Sequence, residues 1–584
     1  MNRLTLEGRK SYLLSYEEGD YSIFADIRDE DGCDMITVRF SADGEMIPPE
    51  IKLWWEVPSH DIQGIWNPFV NINRCFTYWG YSWLSTAERG SPMCCLFSSG
   101  GENRLMFACS DAVNPVKFGF FLREDDVMWD CSSVLFSKPV APCAGYECTF
   151  RVKYDHIRYE DAIGEVVRWW EDMPQYQPMM KPAPECTRPL YSTWYSFHQT
   201  VTAPEVERVL KDAASLGFGA VIVDDGWYHD LSYSLYDYCG DWLPSKRKMG
   251  DMRAHVERVH SMGIKYYLWY AVSFIGIHSE ARERFKGKLL REGDFATVDP
   301  RYPDVREYII STCERALREW DIDGFKLDFI DSFFQPDNEE GCYAPGKDYV
   351  SVAQAVRRLM DDMMARLTAI RPNLAVELRQ LYVGPQMRKY GNMFRAGDCS
   401  NDSVMNKVRT VDVRLCVGDS PAHSDMMTWR PDEPAERAVM QLIGSMFAVP
   451  QISIIPAQLP ESQRAMLKNW IAFWNAHKST LLGGRLRAHN PELLYTTVSA
   501  ETDDEYIAAV YAVNTVAPAP EGTPAHIVIV NGSGSTGIGA LLKDGEYSVR
   551  IADCLGAVRA ELKARGGCNM LEIPLGGMAF IDRD

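Results

Sequence analysis

From Asp321 to Asp331 the chain reads Asp-Ile-Asp-Gly-Phe-Lys-Leu-Asp-Phe-Ile-Asp, a short apolar strand that delivers Lys326 and Asp328 to its C-terminal end. A carboxylate beside an ammonium favours its ionised form, which is how a ready nucleophile is built. A lone Lys-x-Asp also serves as a loop cap, so its meaning depends on what other segments bring to it. Further polar groups follow apolar runs in the same way. Asp224 and Asp225 precede Gly226-Trp227, and Trp269 ends the run 264–270. Glu377 and Arg379 follow 374–376, Arg395 and Asp398 follow Met393-Phe394, and Asp402 comes four residues later. Asp419, His423 and Asp425 follow 413–417. Adjacent carboxylates repel, and a chain tolerates the pair most readily where a ligand's hydroxyls bond to it. These acids come without a metal-spaced histidine cluster, which describes a pocket for a neutral, polyhydroxylated molecule. Two carboxylates suffice for glycoside chemistry, one attacking the anomeric carbon and one donating and then accepting a proton. Asp328 has the cation. Asp402, beside the neutral Cys399-Ser-Asn401, is suited to the proton-carrying role, with Asp398 as the alternative.

The elements that must position these groups are read from periodicity. Residues 1–155 alternate apolar and polar, as in 21–27, 35–40, 117–122 and 148–153, between Gly, Asp and Pro punctuation. That predicts an antiparallel β-sandwich. A helical, Pro-rich connector spans 156–188. From 189 to 478 strands alternate with amphipathic helices: 189–197, 218–223, 264–270, 324–328, 374–378, 393–395, 413–417 and 451–455 are the predicted strands. Thr202-Ala-Pro-Glu205 opens the first helix with a capping box. Eight such units predict a (β/α)₈ barrel, whose active site lies at the C-terminal ends of its strands. A doubly wound sheet would want a glycine-rich phosphate loop after its first strand, and none is present. Residues 479–584 return to β, with 506–511, 526–530 and 547–551 as strands of an antiparallel β-sandwich. The fold class is therefore a TIM barrel flanked by all-β domains.

Composition limits the ligand. A formal net charge of −20 argues against nucleic acid, and no apolar run approaches the length of a membrane helix. The sixteen cysteines show no CxxC pairs, which predicts small buried residues in a reducing compartment. With no apolar leader in the first twenty residues, the expected location is the cytoplasm. Aromatic residues make up 12% of the chain, and those near turns, Trp227 and Trp242 among them, suit the C–H faces of sugar rings.

The chain resembles the retaining α-galactosidases of the melibiase type, glycoside hydrolase family 36. The resemblance rests on Val223-Asp-Asp-Gly-Trp227, Gly240-Asp-Trp242, His260-Ser-Met-Gly-Ile264 before Leu268-Trp269, Asp299-Pro-Arg301 and Gly324-Phe-Lys-Leu-Asp328. It implies a β-sandwich, a catalytic barrel and a C-terminal β-domain, with copies associating through the β-domains. It implies Asp328 as nucleophile, Asp224 and Asp225 on galactose hydroxyls, Lys326 touching the sugar and Trp242 as an aromatic wall. No cofactor or metal is implied. The family's acid/base aspartate has an arginine seven residues on, which Asp402 and Arg409 match, although the acid expected three residues on is Met405. One departure follows the fifth strand. Members acting on plain α-galactosides carry a cysteine and a glycine-rich run there to read the 2-hydroxyl, whereas this chain has Glu377-Leu-Arg-Gln-Leu-Tyr-Val-Gly384. Either Glu377 and Arg379 take over that task, or the substituent differs, as in an α-N-acetylgalactosaminide or a pentopyranoside. A transglycosylase of the raffinose-synthase kind would use the same carboxylates, and a sugar-binding protein without chemistry is the remaining reading.

Overall fold

The computed structural model describes residues 1–68, 74, 80–334, 344–379 and 382–584. The N-terminal region forms two six-stranded sheets, antiparallel in every pairing, from Asn2–Glu7 to Cys143–Lys153. Alternation places Trp55, Phe107, Phe118 and Trp129 between the sheets, with the Trp55 and Phe107 rings edge to face at 4.9 Å.

The middle region is a parallel barrel. Its strands are β1 (Leu190–Ser192), β2 (Ala220–Val223), β3 (Lys265–Ala271), β4 (Gly324–Asp328), β5 (Ala375–Arg379), β6 (Met393–Arg395), β7 (Ala422–His423) and β8 (Gln451–Ile452). Neighbours pair in the order β7-β6-β5-β4-β3-β2-β1-β8. Parallel bridges His423 to Val449 and Met427 to Ile452 close the ring. β4 is buried along its whole length, as a parallel strand covered on both faces must be. Gly324 at its start is required by space: a Cβ there would lie 2.2 Å from the Ala375 carbonyl oxygen of β5.

Several predicted elements differ. Strand 189–197 stops at Ser192, and Trp194–Phe197 makes one helical turn. The β-branched run 413–417 is not the seventh strand but the end of helix Ser403–Cys416, whose first turn Asp402 caps. The real β7 is two residues long, too short to leave a periodic signal. Asp419 therefore precedes β7, at the end of the barrel away from the mouth. Among the described residues, the β5–β6 crossover holds a 3₁₀ turn, Met387–Lys389, in place of an α-helix. Thr202 bonds the Glu205 carboxylate through its hydroxyl (2.7 Å) rather than capping a backbone amide. The C-terminal region is one eight-stranded sheet that contains two parallel pairs, Glu505–Val510 with His526–Asn531 and Val516–Ala517 with Gly537–Ala552. All described cysteines are free, and all but Cys143, Cys399 and Cys568 are buried. No helix among the described residues is long and apolar enough to cross a membrane.

One buried carboxylate joins the three regions. Asp412, on helix Ser403–Cys416 of the barrel, accepts bonds from Trp66 Nε1 (3.0 Å) and Arg74 of the sandwich and from Tyr495 Oη (2.6 Å) beyond the barrel. Arg74 is fully buried, so removing its partner leaves an uncompensated charge in the interior. Asp412→Ala is expected to lower unfolding free energy by about 3–5 kcal/mol. Urea denaturation checks this, and an unchanged midpoint would show that the junction does not stabilise the fold.

Candidate active site

The alternation of side chains along β4 sends Lys326 and Asp328 to one face, at the mouth of the barrel. Asp328 is held from three sides. Its Oδ2 accepts from Trp269 Nε1 at 3.0 Å, and its Oδ1 accepts from the Phe329 amide at 2.8 Å. The same Oδ1 lies 2.8 Å from Arg379 Nε. Phe329 sits in the left-handed region at φ 59°, a conformation an aromatic residue adopts only under constraint. That turn aims its amide back at Asp328. Lys326 does not supply the contacting cation. Its Nζ lies 2.6 Å from Asp224 Oδ2, and Arg379, from the end of β5, takes the place expected for it. Burial depresses the Lys326 ammonium, but Asp224, with Asp328 and Glu377, outweighs burial and leaves it raised.

The β2 end carries the paired acids. Asp224 is engaged by Lys326 and by the Asp225 amide (2.9 Å). Asp225 accepts from Tyr228 Oη at 2.7 Å and from Gln199 Nε2. Burial raises its carboxyl to about 6, against the pull of those two bonds. Gly226, at φ 107°, passes so near Gln199 that a Cβ would lie 2.5 Å from its Cα. Lys248 pins this loop by donating to the carbonyls of Gln199 (2.6 Å) and Gly226 (3.0 Å). The tryptophans form a stack behind the acids. Trp227 donates to the Trp269 carbonyl at 3.0 Å and stacks on Trp242 at 6.1 Å, while Trp242 meets Trp269 edge to face at 6.0 Å. Trp227 and Trp242 are buried and pack against Trp269.

From β5 onward the site is a charge network. Arg395, fully buried at the end of β6, pairs with Asp425 Oδ1, with Asp398 Oδ1 at 2.9 Å and with Glu377 Oε1 at 3.6 Å. Asp425 also accepts from the Cys399 amide (2.7 Å) and Tyr195 Oη (3.2 Å). Asp398 stands at the opening, its side chain 62% exposed. Burial among its neighbours works against the charge, but Arg395, Lys326 and Arg379 hold the carboxyl well below the usual range. Arg379 Nη1 lies 3.5 Å from Asp398 Oδ2. Asp402 is occupied elsewhere. Its Oδ1 accepts from the amides of Val404 (3.1 Å) and Met405 (2.9 Å), and Arg409 donates to the backbone carbonyl of Asp398 rather than to Asp402. His423 is buried in β7 and bonded to the Cys186 carbonyl (2.9 Å).

Glu377 lies beneath the network, 1% exposed, with Gln451 donating to it. Burial moves its carboxyl from 4.5 to about 7, against the pull of Arg395 and Lys326. It lies against Arg395, which ties it to the network. A raised folded-state pKa means the folded protein keeps a proton that the unfolded chain has released. Stability from this group is therefore full below 4.5 and is lost as pH rises through about 7. Glu377→Gln is expected to flatten unfolding free energy across that window, and an unchanged pH slope would count against it.

The structure thus brings Asp224, Asp225, Trp269, Lys326, Asp328, Arg379, Arg395, Asp398 and Asp425 into one connected mouth. Of the stretch 377–384, Gln380 and Leu381 lie outside the described residues. Tyr195, bonded to Asp425, and Tyr236 also belong to this mouth. Tyr195 follows β1 directly, a position the strand-end rule could have flagged. Tyr236 stacks on Trp269 at 6.0 Å from deep in the loop after β2, where periodicity gives no signal.

The melibiase family model matches residues 163–377, which takes in the acids of β2 and β4 and stops before Arg379, Arg395 and Asp398. Among curated proteins, the bifunctional alpha-galactosidase/sucrose kinase AgaSK of Mediterraneibacter gnavus is 28% identical over 200 residues, 32% of this chain and 20% of that protein. Alpha-galactosidase AgaA of Geobacillus stearothermophilus is 22% identical over 166 residues, 26% of this chain and 23% of that one. The chain thus matches about a fifth of the length of these relatives. In three dimensions the likeness is broader. The A355E variant of GH36 alpha-galactosidase AgaA from Geobacillus stearothermophilus, in complex with 1-deoxygalactonojirimycin, superposes with TM-score 0.67 at 14% identity, over 98% of this chain and 83% of that one. A variant of that enzyme in complex with raffinose gives 0.65 at 15% identity, over 98% and 81%.

Proposed function

We propose that this chain, which the melibiase family model matches over residues 163–377 and which has the fold of the GH36 alpha-galactosidases, is a glycosyl hydrolase that removes terminal α-galactosyl groups with retention of configuration. The observation that carries the reading is Asp328 itself: a buried carboxylate at a strand end, with one oxygen bonded to Trp269 and the other to a guanidinium and a backbone amide. A carboxylate so fixed, in a mouth lined by further acids, is suited to attack at an anomeric carbon.

For the proton carrier we choose Asp398. It is exposed at the opening and shares Arg379 with Asp328, whereas the Asp402 carboxylate caps a helix. Carboxylates on either side of one guanidinium fit the short spacing of a retaining pair. Asp398 protonates the leaving oxygen as Asp328 forms the glycosyl ester, and then takes a proton from the incoming water. Asp224 and Asp225 present acceptor oxygens to the sugar's hydroxyls. The substrates are neutral α-galactosides, with raffinose and stachyose, found bound to variants of a structural relative, as the first oligosaccharides to try.

The test is turnover of aryl α-galactoside, N-acetylgalactosaminide, glucoside and arabinopyranoside, with the first-formed sugar followed by proton NMR. We expect galactoside cleavage and α-galactose as the initial product. β-Galactose appearing first would exclude the double displacement. A sucrose acceptor that diverts the galactosyl group would assign a transferase.

A further inference from the structure

We propose that Arg379 is a positioning residue shared by two carboxylates, holding on Asp328 and Asp398 the one negative charge that passes between them in each turnover. The inference rests on the double-displacement reading above.

The geometry is that of a clamp. Arg379 Nε lies 2.8 Å from Asp328 Oδ1, Nη1 lies 3.5 Å from Asp398 Oδ2, and Nη2 lies 3.9 Å from Asp331 Oδ1. The guanidinium is fixed by its own neighbours. It lies over the Phe329 ring at 4.8 Å, and Nε is 3.3 Å from Tyr382 Oη, which in turn donates to Asp331 at 3.4 Å. A planar guanidinium presents separate, rigidly directed N–H groups to two acids that stand apart, where an ammonium is a single compact centre. The side chain comes from the end of β5, so its reach to both acids is set by a strand and not by a loop.

The reaction needs such a group because its charge moves. In the first step an Asp328 oxygen bonds the anomeric carbon and the glycosidic C–O bond breaks. The leaving oxygen keeps that electron pair and takes the Asp398 proton, so Asp328 becomes a neutral ester and Asp398 an anion. In the second step water bonds the anomeric carbon and gives a proton to Asp398 while the ester bond returns its electrons to Asp328. The pair carries one negative charge throughout, first on one member and then on the other. Arg379 faces both, so it stays paired at each stage without moving between them. The other groups facing Asp398 are Arg395, Lys326, Asp425 and Tyr195. Arg395 is held by Asp425 and Lys326 by Asp224, and Arg379 alone among these cations is in contact with Asp328.

The experiment compares wild type, Arg379→Met and Arg379→Lys in the full chain, on raffinose, whose leaving sugar needs a proton, across pH. For R379M we expect kcat to fall about 10²–10³-fold with KM nearly unchanged. Its Asp398 carboxyl, followed by carbon NMR without turnover, should titrate about one unit higher than in wild type, and the alkaline limb of kcat/KM should move with it. R379K keeps a charge but loses the fork, and should recover part of the kcat. Where R379M fails to fold, R379K still decides, because the clamp requires a kcat loss at constant KM. An active wild type with R379M unchanged in kcat and pH limbs would overturn the clamp alone, as would a variant that changes only KM. A wild type silent on every α-glycoside would overturn both the clamp and the function it rests on.

Discussion

Asp328→Asn is expected to abolish turnover, by about 10⁴–10⁶-fold in kcat, the scale on which removal of an enzyme nucleophile is felt. The amide is isosteric; it loses the charge and the attacking lone pair, and its NH2 takes the place of the oxygen that accepts from the Phe329 amide and faces Arg379. The Trp269 indole can still donate to the oxygen retained, so the pocket keeps its shape. Binding should survive, read as thermal stabilisation by neutral galactose equal to that of wild type. The loss should be the same for activated and unactivated leaving groups, because the missing step is bond formation at the anomeric carbon. A variant that keeps more than about a hundredth of wild-type turnover would assign the nucleophile elsewhere. One that loses binding as well would mean that Asp328 holds the site together. Arg379 makes the second outcome a real alternative, since the substitution leaves its Nε facing a neutral amide.

Much of this arrangement was legible because barrels obey a strong positional rule. β2, β4 and β5 are apolar runs with polar residues at their ends, and the rule that chemistry gathers there selects Asp224, Asp225, Lys326, Asp328 and Arg379 without any structure. β4 is 324–328 in both the sequence reading and the fold. What failed was pairing. That Lys326 and Asp328 share a face is set by a period of two, but which acid each cation meets depends on strand tilt and on the opposite wall of the barrel. So Lys326 reached two strands across to Asp224, and Arg379 came to Asp328 from the neighbouring strand. The seventh strand failed for another reason. Val411, Val413 and Cys416 have β propensity, but Asp402 caps a first turn and tertiary burial of Val408, Val411 and Cys416 on one face fixes the helix. Mistaking that helix for a strand also concealed the role of Asp402, because a residue just before a helix is a capping candidate and one in a loop between strands is not.

Asp398 and Asp402 should therefore separate cleanly when each is changed to alanine. Asp398→Ala is expected to cost about 10²–10⁴-fold in kcat/KM on raffinose, whose leaving sugar needs a proton. The cost should be far smaller on an aryl galactoside with an acidic phenol, which leaves unaided. The same variant should accumulate glycosyl-enzyme, and added azide should restore turnover and yield galactosyl azide, since azide needs no general base. Asp402→Ala should behave oppositely. It removes a helix cap bonded to two amides, which costs about 1 kcal/mol of stability, and kcat/KM on both substrates should stay within about threefold of wild type. The electrostatics add a demand. Three cations hold the Asp398 carboxyl low in the free protein, which favours the base of the second step over the acid of the first. Bound substrate must exclude water and raise that carboxyl before the leaving oxygen can be protonated, so turnover of poor leaving groups should be limited by the first step and fall as pH rises. An aryl galactoside, limited by the second step, should lack that fall. Reversed phenotypes, with Asp402→Ala rescued by azide and Asp398→Ala merely destabilised, would return the proton to Asp402 and require helix Ser403–Cys416 to uncap when substrate binds.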